Sequence, residues 1–67
     1  MSESLKLIVE AYVGLNDREA IQGLREHWQT IRGRLLASSS QWFDTSSLVR
    51  LLDNDLNEIE AGLARLQ

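Results

Sequence analysis

Four acidic side chains near the end of the chain form its densest group of potential metal ligands or general acids. They are Asp53, Asp55, Glu58 and Glu60. Carboxylates that converge on one point can bind a hard cation or share a proton in general acid catalysis. A helix with about 3.6 residues per turn spreads these four positions around its circumference instead. The spacing therefore predicts a solvated face that pairs with arginines, and no metal site.

The other residues with catalytic potential are one histidine and a group of serines. His27 has no cysteine and no second histidine with which to bind a metal, and we expect it to pack over Gly62 or face solvent. The serines at 38–40 and 46–47 are not part of a G-x-S-x-G motif, and the four glycines are too isolated for a phosphate-binding loop. We expect a protein that is not an enzyme, with no cofactor, metal or small-molecule substrate.

The composition indicates one small domain that must be stabilised by helix packing or by oligomerisation. The chain has 67 residues with a net charge of −3, and it lacks cysteine and proline. A disulfide framework is therefore excluded, and residues 1–67 form a single domain. The longest apolar run, Leu7–Val9, is too short for a membrane span or a signal sequence. We expect a complete cytoplasmic protein that does not contact membranes.

Apolar residues that repeat at alternating spacings of three and four predict two long helices, at 17–37 and 46–66. The first helix carries Ile21, Leu24, Trp28, Ile31 and Leu35. The second carries Val49, Leu52, Leu56, Ile59, Leu63 and Leu66. Asn16, with Glu19 three residues later, is predicted to cap the first helix, and Asp44 or Thr45 the second.

The two apolar stripes fit an antiparallel helical hairpin in a single register. Its layers pair Ile21 with Leu66, Leu24 with Leu63, Trp28 with Ile59, Ile31 with Leu56, and Leu35 with Leu52. The same register predicts the ion pairs Arg25–Glu60, Arg32–Asp53 and Arg34–Asp55. Each exposed pair contributes only about 0–1 kcal/mol, so these pairs serve mainly to set the register.

The N-terminal segment, 3–14, has a pattern that suits either a helix or a strand. As a helix it aligns Leu5, Ile8, Tyr12 and Leu15 on one stripe, which Val9 and Ala11 widen, with Gly14 at its end. As a strand it alternates apolar and polar positions from Leu5 to Leu15, and its β-branched residues favour that state. We predict a helix, because a strand would have no partner within this chain. The predicted fold is therefore an all-α three-helix bundle, and we expect it to be a dimer.

One end of the predicted hairpin carries apolar residues that the short helix does not reach. A helix over 3–14 spans about 18 Å, whereas the hairpin spans about 30 Å. The uncovered residues are Leu36, Trp42, Phe43, Leu48 and Leu51. Such a patch is large for a monomer and predicts self-association, most simply as a homodimer, or binding to another protein. We expect a non-catalytic protein–protein interaction module, such as an adaptor, an antitoxin-like factor or a regulatory subunit.

The alternative interpretation is a small regulator that binds nucleic acid through arginines on the helix predicted at 17–37. These are Arg18, Arg25, Arg32 and Arg34. The acidic net charge and the predicted pairing of three of them with carboxylates disfavour phosphate contacts. If the first segment were a DNA-reading strand, Lys6, Ile8, Glu10 and Tyr12 would face the bases. One basic and one acidic residue make a poor set for that purpose.

Overall fold

A computed structural model describes residues 2–40 and 44–66 of the chain. These residues form three helices, α1 (Ser2–Gly14), α2 (Arg18–Ser38) and α3 (Ser46–Ala64). Each helix packs against the other two. The prediction of an all-α three-helix bundle is confirmed, and so is the helical interpretation of the first segment.

The turn between α1 and α2 uses residues that tolerate unusual backbone angles. Asn16 has a positive φ of 53°, in the left-handed region that asparagine enters more readily than most residues. The amide of Asp17 donates back to the carbonyl of Tyr12 at 2.9 Å and so closes the end of α1. Asp17 then caps α2, because its Oδ1 accepts from the amide of Ala20 at 3.1 Å. The prediction that Asn16 is the cap is wrong by one residue, since Asn16 makes the turn.

The face of α1 that packs on the bundle differs from the predicted face. Leu5 and Val9 are buried, whereas Ile8 and Leu15 are 44% and 73% exposed. The predicted stripe is therefore confirmed at Leu5 and Val9 and wrong at Ile8 and Leu15. The physical reason lies on α3, where Gly62 has no side chain and Val9 packs directly over its Cα. This close contact sets the rotation of α1 about its own axis.

The hydrophobic core lies where the three helices meet. Its buried members are Leu5, Val9, Ile21, Ile59 and Leu63. A shell of partly buried side chains surrounds them, namely Tyr12, Val13, Leu24, Trp28, Leu56 and Leu66. All three helices contribute to this core, so α1 is an integral part of it.

Polar contacts connect α2 with α3 along much of their length. They are Arg25–Glu60 at 3.3 Å, Trp28–Asp55 at 3.1 Å, Arg32–Asp53 at 2.6 Å and Thr45–Leu35 at 3.2 Å. Along this series the residue numbers on α2 increase, while the residue numbers of their partners, on α3 and just before it, decrease. The predicted ion pairs of Arg25 and Arg32 are confirmed. The third pair is wrong, because Asp55 is buried and accepts a hydrogen bond from Trp28 rather than pairing with Arg34.

The start of α3 is fixed by two side chains with different tasks. Asp44 Oδ1 accepts from the amide of Ser46 at 2.9 Å, and this bond lowers the pKa of Asp44. Thr45 occupies the cap position, but its hydroxyl donates to the carbonyl of Leu35 in the last turn of α2. That carbonyl lies among the last four of the helix, which have no partner within the helix. Thr45 thus joins the two helix ends directly.

A bidentate ion pair attaches α1 to the end of α3. Arg65 Nη1 and Nη2 donate to Glu10 Oε1 and Oε2 at 2.5 and 3.1 Å. The hydrogen bond from Arg65 is the main reason that the pKa of Glu10 lies below its ordinary value of 4.5. A carboxylate with a lowered pKa in the folded state stabilises the fold above its ordinary pKa. That stabilisation is lost as the pH falls through the folded pKa.

We expect the Arg65→Gln substitution to raise the pKa of Glu10 toward 4.5, as measured by NMR titration of its side-chain carboxyl carbon. The reason is that glutamine cannot make the bidentate hydrogen bonds of Arg65 and carries no positive charge, and these are the interactions that lower the pKa of Glu10. Arg50→Gln is the matched control, because Arg50 lies on α3 near its other end. Equal titration of Glu10 in the Arg65 variant and the unsubstituted protein would contradict this assignment.

Candidate functional site

The first helix covers only part of the surface that α2 and α3 form together. The three-residue connection makes α1 fold back along α2, and its 13 residues span about 20 Å. The N-terminal residues of α1 therefore lie alongside about residue 30 of α2. From there α2 continues to Ser38. We call residues 31–38 of α2 and 46–55 of α3 the distal end of the bundle. Among residues 2–40 and 44–66, two helices pack together there.

The distal end contains an apolar groove of about 250 Å³. It is lined by Ile31, Leu35, Leu48, Leu51, Leu52 and Asp55. Leu48 and Leu51 on its α3 side are 46% and 55% exposed. We call this surface the distal groove. Its apolar lining and its length along two helices suit it to bind a helix rather than a small polar molecule.

The distal groove continues the face on which α1 packs. On α3, Asp55 and Leu48 precede Gly62 by one and two heptads, so the three positions lie on one stripe. Val9 of α1 packs against the Gly62 end of this stripe. The other end of the stripe lines the groove. The distal groove is therefore the part of this face that α1 is too short to cover.

One polar side chain interrupts the apolar lining of the groove. Asp55 is only 4% exposed, and its Oδ2 accepts a hydrogen bond from Trp28 Nε1 at 3.1 Å. A buried carboxylate in such a place is costly unless it has hydrogen-bond partners. Its position makes Asp55 the group that would orient whatever binds in the groove.

The structure divides the predicted apolar patch between two faces. Leu48 and Leu51 lie together in the distal groove. Leu36 is exposed, but it lines a separate and more polar depression with Val49, Arg50 and Asp53. Trp42 and Phe43, the other two predicted members, lie outside the described residues. The position of Leu36 follows from the helical turn, because it is next to Leu35 in sequence and about 100° away around α2.

The four predicted nucleic-acid-binding arginines do not share one face. Arg18, Arg25 and Arg32 follow one another at heptad spacing, whereas Arg34 lies two residues beyond the last of them and points elsewhere. Glu60 and Asp53 neutralise Arg25 and Arg32. The stripe therefore presents two ion pairs and one arginine, and its attraction for phosphate groups is correspondingly small.

The other candidate residues are also separated by the fold. His27 is exposed and its ring contacts Trp28 edge-on, with 5.5 Å between the ring centres. Of the two predicted positions for His27, exposure to solvent is confirmed, whereas packing over Gly62 is wrong, since Val9 and Val13 occupy that position. Asp53 and Glu60 pair with arginines, while Asp55 bonds to Trp28. Within residues 2–40 and 44–66, no three acidic, histidine or cysteine side chains are placed to hold a metal ion.

The sequence-based reasoning missed a second exposed apolar surface, on the outer side of α1. Leu7 is 67% exposed, Ile8 beside it is 44% exposed, and Leu15, just after the helix, is 73% exposed. Its only signal in the sequence was the near-continuous apolar character of 5–15, which allows α1 to bury either of two faces. Nothing packs on this surface among the described residues.

Comparisons with known protein families, curated proteins and solved structures found no match to this chain. None of the helices in the described ranges is both long and apolar enough to cross a membrane. The features that bear on function are therefore the surfaces of the bundle, and the distal groove is the most distinctive of them.

Proposed function

We propose that this chain is a non-catalytic protein–protein interaction module that self-associates through the distal groove. In this proposal α2 and α3 form an antiparallel hairpin. α1 packs only on the half of this hairpin that lies near the α1–α2 turn. The observation that carries the proposal is the apolar groove beyond α1, with Leu48 and Leu51 exposed on its rim. A role as a small adaptor or regulatory protein would follow from such a surface.

The size of the exposed surface supports association. The chain exposes 4859 Å², roughly a tenth more than the ~4,300 Å² expected for a compact monomer of its mass. Its radius of gyration of 13.2 Å also exceeds the value of about 11 Å expected for 67 residues. Both differences fit an elongated molecule that measures 44 by 20 by 15 Å. Burial of the distal groove would remove part of its exposed apolar surface.

Substitution of Leu51 by glutamate tests the proposal. We expect light scattering across a dilution series to give about twice the 7.6 kDa chain mass for the unsubstituted protein at tens of micromolar. We expect the chain mass itself for Leu51→Glu, because a carboxylate placed in the apolar groove must lose its hydration on association. Leu51 is exposed in the single chain, so circular dichroism should show unchanged helix content.

Leu7→Glu is the matched control, since Leu7 is at least as exposed as Leu51, at 67% against 55%, but lies on the outer side of α1. It should leave the mass at that of the unsubstituted protein. A monomer at every concentration, or an equal effect of the two variants, would contradict the proposal. Salt-sensitive retention on heparin that is reduced by Arg18→Gln would instead support nucleic-acid binding.

A further inference from the structure

We draw no further inference here: the strongest candidate, the distal groove between α2 and α3 with the buried carboxylate of Asp55 in its lining, belongs to the surface already proposed for self-association, and nothing in the structure shows what covers it.

Discussion

Replacement of Trp28 by phenylalanine should lower the free energy of unfolding by about 2 kcal/mol. The indole Nε1 donates at 3.1 Å to Asp55, whose side chain is buried at the edge of the core. Phenylalanine fills most of the same volume, so the loss of packing is small. The larger cost is that the carboxylate stays buried while it loses its hydrogen bond from the indole. Chemical denaturation followed by circular dichroism would measure the change.

A double-mutant cycle identifies the cause of this loss. Asp55→Leu alone leaves the indole nitrogen without its acceptor, and it should also be destabilising. The double variant, with both Trp28→Phe and Asp55→Leu, removes the polar pair together and should recover most of the stability. Additive losses in the double variant would show that the hydrogen bond is unimportant and that the shape of the indole matters instead. The cycle should be measured at a concentration where the chain is monomeric, because Asp55 also lines the distal groove.

Gly62→Ala should lower the free energy of unfolding by about 1–2 kcal/mol, although alanine is the better helix former. A Cβ at this position would overlap Cγ1 of Val9, and Cγ2 of Val13 would lie at 3.5 Å. Val9 is buried, and a β-branched residue in a helix has one strongly preferred rotamer. It therefore cannot turn aside, and α1 must move away from α3. This overpacking outweighs the gain of up to about 1 kcal/mol from helix propensity.

Substitution by alanine at Gly33 should raise the free energy of unfolding, the opposite of its effect at Gly62. Nothing lies within 4 Å of a Cβ built at Gly33 or at Gly23, so only the helix propensity changes there. The free energy of unfolding of each of these variants should rise by up to about 1 kcal/mol, as measured by thermal or chemical denaturation. A combined Gly62→Ala and Val9→Ala variant should lose less stability than the sum of the two single losses, because alanine at position 9 removes the overlapping methyl groups. Equal effects of alanine at positions 62 and 33 would contradict the close contact between α1 and α3.

Periodicity alone was enough to predict α2, α3 and two of the ion pairs between them, whereas α1 was predicted to be a helix because a strand would have no partner in this chain. Arg25 and Arg32 reach Glu60 and Asp53 because heptad spacing keeps both pairs on one side of the seam. The prediction for Asp55 was wrong because an α-helix turns slightly more slowly than an ideal heptad repeat. The residue was assigned to the flank, but it faces inward, where the indole of Trp28 provides a donor.

The face of α1 could not be predicted, because its sequence is apolar on two sides. The choice between Val9 and Ile8 as the buried residue depends on Gly62, which lies about 50 positions later in the chain. From the sequence, a glycine in a helix can be either merely tolerated or needed for a close contact. The packing of α1 against Gly62 shows the close contact. The division of the apolar patch had a simpler cause. Leu36 and Leu48 both lie off the seam, but on opposite sides of it.

Because α1 and the distal groove share one continuous face, α1 can be described as an intramolecular ligand of that face. Its three-residue connection gives it a high effective concentration, so it holds its half of the face without help from a second molecule. When α1 detaches, that half of the face becomes available to other chains. Changes that weaken the docking of α1, such as Gly62→Ala, should therefore increase self-association even as they reduce the stability of the single chain.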